Sequence, residues 1–323
     1  MKEADQAQTE GAASLPEMGP VRHVLTETLD VAYVEDGPPD GAPVVLLHGF
    51  PYDIHSYVDV APLLAAAGFR VVVPFLRGHG STLFRDPDRP RSGQQAALGV
   101  DVIELLDALG IPRAIFAGYD WGGRAACVAA ALWPQRCEGL VSVNGYLIQD
   151  IARAMAPLSP ELEAGFWYFF YFLTDRGRAG LTAYRREIAQ VIWRRNSPAW
   201  QFQDAVLRRA TAAFDNPDYV DVVLHSYRHR LGQAPGDPCY DEVERRLATL
   251  PTITVPTVTL DGQADGNFPA TDGAAAATHL SGPHHHRQVP AAGHNLPQEA
   301  PGEFVAAIRE VRRLSESHSP AVS

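Results

Sequence analysis

Lysine is almost absent from this chain of 323 residues: Lys2 is the only one, and every other basic side chain is arginine or histidine. The formal net charge is −11, and no cluster of arginines opposes it locally. Proteins that bind nucleic acids present basic patches to the phosphate backbone. The composition therefore argues against a nucleic-acid partner.

Cysteine is scarce as well. The three cysteines, Cys127, Cys137 and Cys239, are odd in number and far apart in the sequence. They fit neither the spacing of a zinc site nor a disulfide framework. We therefore expect free thiols in a reducing cytosol, with no metal and no other cofactor.

Long apolar runs are missing too. No stretch is long enough to span a membrane, and residues 1–20 are polar and acidic, without the apolar centre of a signal peptide. We expect a cytoplasmic protein with disordered ends at residues 1–20 and 315–323. Apolar residues still make up 46% of the chain, enough for a large folded core.

Short apolar segments alternate with helical periodicity over residues 21–145, and this alternation returns over residues 251–314. It predicts one α/β core: a mostly parallel sheet with helices on both faces. The first two strands, predicted at 24–29 and 31–35, form a hairpin turning near Asp30. Residues 146–250 are helical throughout and rich in arginine and aromatics, which predicts an inserted helical cap.

The most informative motif lies between an apolar strand, residues 114–117, and a helical segment from residue 124. It reads Gly118-Tyr119-Asp120-Trp121-Gly122-Gly123. Small residues around one reactive side chain at a strand-to-helix turn are typical of a nucleophile elbow. A carboxylate attacks carbonyls poorly, but it displaces a strained or good leaving group from a saturated carbon. Asp120 would then become an alkyl ester that water must hydrolyse.

Two further side chains complete a candidate catalytic set. His294 lies in a loop between the last predicted strand and the last helix, where this fold places its base. The orienting acid is expected after the strand at 254–260, where Asp265 lies out in the loop and Asp261 at the strand end. We predict Asp265 as the orienting acid, with Asp261 as the alternative.

Hydrolysis of an ester also needs donors for the oxyanion of its tetrahedral intermediate. The backbone N–H groups of Trp121, directly after the nucleophile, and of Phe50, in His48-Gly49-Phe50-Pro51, are the candidates. A cis peptide before Pro51 would aim the Phe50 donor.

The run of histidines at residues 284–286 raises the question of metal binding. Adjacent side chains in regular structure cannot all face one ion, and no carboxylate is spaced to assist them. We interpret the run as a surface loop.

Together, the elbow and the turn at residues 48–51 resemble the α/β-hydrolase superfamily, within it the epoxide hydrolases and haloalkane dehalogenases, over residues 22–314. Resemblance to epoxide hydrolases implies two lid tyrosines that protonate or hydrogen-bond the oxirane oxygen. Tyr168 and Tyr227 stand at the matching places, and Tyr171 is the alternative to Tyr168. Trp121, Trp167 and Tyr171 are expected to contact the substrate.

The resemblance thus implies an enzyme that opens a small apolar epoxide to a vicinal diol without a cofactor. A haloalkane dehalogenase using Asp120, His294 and Asp265 is the alternative, and a non-catalytic binding protein of this fold is a further one. Fluoroacetate-type dehalogenases place an arginine after the nucleophile, where this chain has Trp121. Arg124 is then interpreted as structural. The sequence leaves open whether the chain forms a homo-oligomer.

Overall fold

The computed structural model describes residues 15–318. Within this range nine strands form a single sheet in the order β1-β2-β4-β3-β6-β7-β8-β9, with β5 beside β2. Strand β2 pairs antiparallel with β1, β4 and β5. Along the rest of the order, from β4 through β3 to β9, every neighbouring pair is parallel. The strands are β1 (Val21–Leu25), β2 (Leu29–Asp36), β3 (Ala42–Leu47), β4 (Phe69–Pro74), β5 (Leu83–Phe84), β6 (Ala114–Gly118), β7 (Cys137–Val143), β8 (Thr257–Gly262) and β9 (His284–Val289).

Helices lie between and after these strands, and the longest stretch without a strand separates β7 from β8. Short 3-10 turns occur in several of the connections. The helices are α1 (Val60–Ala66), α2 (Gln95–Ala108), α3 (Asp120–Leu132), α4 (Pro160–Gly165), α5 (Trp167–Tyr171), α6 (Asp175–Ala183), α7 (Arg185–Asn196), α8 (Asp204–Thr211), α9 (Tyr219–Arg230), α10 (Asp241–Leu247), α11 (Ala274–Ala277), α12 (Leu296–Glu299) and α13 (Pro301–His318).

The central strands β3 and β6 are apolar along their length because helices cover both faces of the sheet, as is usual for parallel strands. Leu47 pairs with Gly118 at their carboxyl ends. The turn after β3 and the elbow after β6 therefore open at the same edge of the sheet. This register brings two distant sequence motifs together.

The first hairpin turns earlier than predicted. Its turn lies at residues 26–28, and Asp30 belongs to β2. The Thr26 N–H donates to the Leu29 carbonyl at 2.8 Å, and the Thr26 hydroxyl accepts the Leu29 N–H at 2.9 Å. These local hydrogen bonds close the turn at Thr26.

The chain ends differ in part from the prediction. Residues 1–14 and 319–323 lie outside the described range, but α13 continues to His318, so predicted disorder at 315–318 is wrong. Near the other end, Met18 packs against the core and the Pro16 carbonyl accepts a hydrogen bond from Arg209. No helix between residues 15 and 318 is long and apolar enough to cross a bilayer. The cytoplasmic location stays a prediction.

The histidine run forms the start of β9, so its interpretation as a loop is wrong. Strand β9 pairs with β8 in parallel over six residues. Side chains alternate along a strand, so His284 and His286 both reach the Thr259 hydroxyl, at 2.8 and 2.9 Å, whereas His285 contacts Glu310. Across the described part of the chain, no three His, Cys, Asp or Glu side chains are grouped to hold a metal.

Candidate active site

Asp120 is the first residue of α3 and has a φ of 50°, a left-handed conformation that side chains other than glycine rarely adopt. The glycines around it allow α3 to pass close to the ends of β3 and β6. A Cβ on Gly122 would lie 1.9 Å from the Leu47 carbonyl oxygen, and one on Gly118 would lie 2.6 Å from the Gly122 carbonyl carbon. The sharp turn therefore requires glycine at these positions.

The Asp120 carboxylate is held from the neighbouring turn. Its Oδ1 accepts the Phe50 N–H at 2.7 Å, and the peptide between Phe50 and Pro51 is cis. Burial acts to raise the pKa of Asp120, but His294 and the N–H groups of Phe50 and Trp121 outweigh it and lower the pKa. Asp120 is therefore a carboxylate at neutral pH, and its Oδ2 is the oxygen near His294.

His294 lies between two carboxylates. Its Nδ1 is 2.8 Å from Oδ2 of Asp265, and its Nε2 is 3.7 Å from Oδ2 of Asp120. The imidazole and the Asp265 carboxylate are both buried. Burial acts to lower the pKa of His294, but Asp265 and Asp120 raise it to about 10.

Asp265 is in turn fixed by its own loop. Its Oδ1 accepts the N–H groups of Asn267 and Phe268, both at 2.8 Å. The reserve candidate Asp261 lies inside β8, where its Oδ2 accepts hydrogen bonds from the N–H and the hydroxyl of Thr271. The acid that contacts His294 is therefore Asp265.

Tyr168, on α5, and Tyr227, on α9, meet above the Phe50 turn. Their ring centroids are 5.4 Å apart, and each ring also packs against Phe50, at 6.1 and 5.4 Å. The Tyr227 hydroxyl and the Trp121 indole N–H are both buried without a hydrogen-bond partner in the described chain. Burial raises the pKa of both tyrosines, so both hydroxyls stay protonated and can donate.

The structure brings together Asp120, His294, Asp265, Tyr168 and Tyr227, with Phe50 and Trp121 beside them. Trp167 adjoins this set through the Tyr168 ring, at 5.9 Å, whereas Tyr171 lies outside it. The Tyr171 ring contacts Trp167 and Phe172, and its hydroxyl lies against Gly180 of α6. Tyr168 contacts both Phe50 and Tyr227, and Tyr171 makes neither contact within the described chain. Nothing at the described site supports Tyr171 as the first lid acid.

Comparisons with known proteins identify the family of the chain. A family model of the α/β hydrolase fold matches residues 42–301. The chain belongs to the α/β hydrolase fold family. Epoxide hydrolase A of Mycobacterium tuberculosis is 30% identical over 317 residues, which cover 90% of this chain and 96% of that protein.

Solved structures place the hydrolase among proteins named for the same activity. A crystal structure of a candidate epoxide hydrolase from Klebsiella pneumoniae shares 47% identity with a TM-score of 0.89, covering 91% of this chain and 97% of that one. Epoxide hydrolase A from Mycobacterium thermoresistibile shares 25% identity with a TM-score of 0.71, covering 91% and 98%. The predicted fold and the resemblance to epoxide hydrolases are confirmed.

Sequence reasoning missed two supports of His294 in the hydrolase. Phe268 stacks on the imidazole with ring centroids 5.3 Å apart and an interplanar angle of 14°. The Ser197 hydroxyl accepts the His294 N–H at 3.1 Å and donates to Glu299 at 2.6 Å. Phe268 follows Asp265 by only three residues, so the sequence could have predicted that it lies near the acid. Ser197 belongs to the inserted helices and carries no sequence signal for this role.

A cavity of about 660 Å³ adjoins this site. Phe268, which stacks on His294, and Phe169, which packs against Tyr227 at 4.7 Å, both line it. The aromatic segment of the insertion contributes Phe166, Phe169 and Phe170 to the lining of this cavity. Trp167 and Tyr171, the predicted substrate contacts, therefore do not line this cavity.

Proposed function

We propose that the hydrolase opens an epoxide to a vicinal diol through an alkyl ester on Asp120, without a cofactor. One observation carries this proposal: two buried, protonated tyrosines face each other over the turn that holds a carboxylate nucleophile. Such a pair suits the oxirane oxygen, which gains negative charge as its ring opens. The relatives named epoxide hydrolases support the same assignment.

In the first step Oδ2 of Asp120 attacks an oxirane carbon and the carbon–oxygen bond of the ring breaks. Tyr168 and Tyr227 hydrogen-bond the departing oxygen, and one of them supplies the proton that makes it a hydroxyl. Oδ1 stays on the Phe50 N–H, which leaves Oδ2 as the attacking atom. The insertion at residues 146–250 acts as the cap that brings both tyrosines to the core.

In the second step water attacks the Asp120 carbonyl carbon and gives its proton to His294 Nε2. The oxyanion forms on Oδ1, where the N–H groups of Phe50 and Trp121 stabilise it. When this intermediate collapses, the leaving diol oxygen takes the proton of the hydroxyl that water added, which frees the diol and restores the Asp120 carboxylate. The proton on His294 then returns to the tyrosine, so that one epoxide and one water give one diol.

The charge around His294 changes at the moment a base is needed. In the free enzyme Asp120 helps to raise the pKa of His294 to about 10, which favours the imidazolium. Alkylation makes Asp120 a neutral ester and removes this contribution. The pKa of His294 then falls, so the imidazolium releases its Nε2 proton to solvent and regains one after turnover. In between, the neutral ring can accept a proton from water while Asp265 holds its Nδ1–H.

The first experiment separates ring opening from dehalogenation. Purified protein is incubated with a panel of epoxides that includes styrene oxide and with a panel of chloro- and bromoalkanes. We expect diol formation from epoxides. Halide release without diol formation would make the protein a haloalkane dehalogenase, in which the Trp121 indole N–H would hold the leaving halide.

The second experiment locates the covalent step. His294→Gln keeps the nucleophile but removes the base, so the ester should accumulate when the variant is treated with an epoxide. Peptide mass spectrometry should find the added mass on the peptide that contains Asp120, and Asp120→Asn should carry none. An adduct elsewhere, or active Asp120→Asn, would refute the covalent mechanism.

A further inference from the structure

Two arginines lie beside the candidate active site without an acidic partner. Arg124 Nη1 and Arg230 Nε both point to one neutral acceptor, Oε1 of Gln149, at 3.4 and 3.0 Å. The Gln149 amide is held in place because its Nε2 donates to the Arg230 carbonyl at 2.8 Å. Among residues 15–318, no carboxylate oxygen lies within 4 Å of either guanidinium.

An unpaired cation in a partly buried position is costly, and two that share one amide oxygen are more so. Burial, followed by repulsion from Arg230, lowers the pKa of Arg124 to about 9. Another buried arginine of the hydrolase shows the usual solution: Arg77 is paired with Asp101 at 2.6 Å. At Gln149 the Asp120 carboxylate offsets part of the charge on Arg124, but neither guanidinium has a directly paired carboxylate as Arg77 does.

Arg230 connects the cavity to the reacting groups. The Arg230 guanidinium stands over the ring of Tyr227, 5.4 Å from its centroid, and over Phe169 at 4.7 Å. Arg230 and Gln149 also line the cavity of about 660 Å³. Arg124 follows Asp120 by four residues, which puts both on one face of α3.

The rest of the cavity wall limits what kind of anion would fit. Most of its lining is apolar or aromatic, and its other charged residues are Asp150, Arg153 and Glu163. Arg153 is exposed, and the Glu163 carboxylate accepts the Leu158 N–H. An apolar molecule with one planar anionic group matches the surface, and the guanidinium fork suits a carboxylate.

We propose that Arg124 and Arg230 form a carboxylate subsite, so that the preferred substrate is an apolar epoxide that carries a carboxylate. The proposal rests on the proposed function and names the substrate class for it. The carboxylate displaces the weak contacts to Gln149 and binds between the two guanidinium groups. The apolar chain lies along the cavity, and the oxirane reaches Asp120 beneath Tyr227.

Matched substrates test this subsite. Terminal epoxides with a carboxylate at increasing chain length are each compared with their neutral methyl esters. At the chain length that fits, we expect kcat/KM for the acid to exceed that for the ester by about 10- to 100-fold, the range for hydrogen bonds to charged groups. The acid-to-ester ratio of kcat/KM is compared because a general loss of activity affects both substrates equally.

Arginine variants then locate the effect. Arg230→Gln and Arg124→Gln should each reduce the acid-to-ester ratio at least about 10-fold. Arg153→Gln removes the same charge from the same cavity away from the pair and should leave the ratio within about 2-fold. Inhibition of the wild-type enzyme by simple aliphatic carboxylates gives a second measurement, which needs no variant to fold.

The outcomes separate the two proposals. Hydrolysis of neutral epoxides with a ratio near one at every chain length would overturn the subsite and leave the proposed function intact. No hydrolysis of any epoxide would overturn both. An Arg230→Gln enzyme that loses activity equally on acids and esters would show that Arg230 acts on Tyr227, and would overturn its role in binding a carboxylate.

Discussion

His294 carries the clearest electrostatic signature at the residue scale. It is buried, yet it contacts Asp265 directly and lies 3.7 Å from Asp120. Charge from both acids more than offsets the cost of burial. A serine in place of Asp120 would remove one of these charges, so the aspartate changes the protonation of the base as well as the nucleophile.

Stability should depend on this histidine above neutral pH. Its pKa is about 10 in the folded chain and 6.5 as a reference for the unfolded one. The native state therefore binds the proton more tightly, and the stabilisation is complete below pH 6.5 and lost as the pH rises through about 10. We expect wild type to lose more unfolding free energy than His294→Gln between pH 7 and 10.

Urea unfolding at the two pH values measures this difference, and comparison with the variant cancels the groups common to both proteins. Curves that fall in parallel would mean that His294 is not protonated in the folded state.

The lid tyrosines give a second prediction at this scale. Tyr168→Phe and Tyr227→Phe each remove one hydroxyl, and we expect either change to slow ring opening about 100-fold or more. Tyr171→Phe is the matched control from the same helix and should change the rate by less than about 2-fold. Single-turnover formation of the Asp120 ester is the measurement.

The Tyr227 hydroxyl makes no hydrogen bond in the described chain, so its removal should not lower the melting temperature. Full activity of both phenylalanine variants would rule out the tyrosines as acids.

At the scale of elements, the elbow depends on close backbone approach. Strands β3 and β6 pair in parallel, and α3 starts within contact of the β3 end. Gly122 permits this contact, because a Cβ there would overlap the Leu47 carbonyl. The position of Asp120 relative to the Phe50 N–H follows from the packing of one helix against two strands.

Gly122→Ala should therefore destabilise the fold by about 1–3 kcal/mol, the usual cost of overpacking, and should misplace Asp120. Gly302 lies in α13, where a Cβ would meet nothing within 4 Å. Gly302→Ala should be neutral or stabilise the protein by up to about 1 kcal/mol. Urea unfolding with assays of activity checks both, and a harmless Gly122→Ala would contradict the packing argument.

On the scale of the whole molecule, the insertion is tied to the core by buried polar contacts. Glu244 of α10 accepts the N–H of Ala96 at 3.1 Å and the side-chain amides of Gln94 and Gln95. It thus caps α2, whose own N-cap residue makes no side-chain cap. Another contact joins the indole N–H of Trp193 to the Pro51 carbonyl at 2.8 Å.

Glu244→Ala should cost about 1–2 kcal/mol, because it exposes unpaired donors at a helix start and removes a favourable charge there. The control is Glu242→Ala on the same helix, an exposed residue paired with Arg245, which should change stability by less than about 0.5 kcal/mol. Thermal unfolding of both variants measures the difference. Equal effects would show that Glu244 does not link the insertion to α2.

The amino-acid sequence alone determined the alternation of strands and helices, the glycine-flanked Asp120, and the order in which His294 follows the acids. These are local signals, readable from spacing and residue type. Where they failed, strand pairing with β8 placed the histidine run in β9, and α13 continued as regular helix to His318.

The sequence favoured Asp265 over Asp261 and Tyr168 over Tyr171, and only the tertiary structure shows which of these side chains contact His294 and Tyr227. Neighbours along the chain point to different partners, and the choice depends on register and loop geometry. It also revealed the Arg124–Gln149–Arg230 cluster, whose members are far apart in sequence. Their shared charge exists only because the fold places them around one amide.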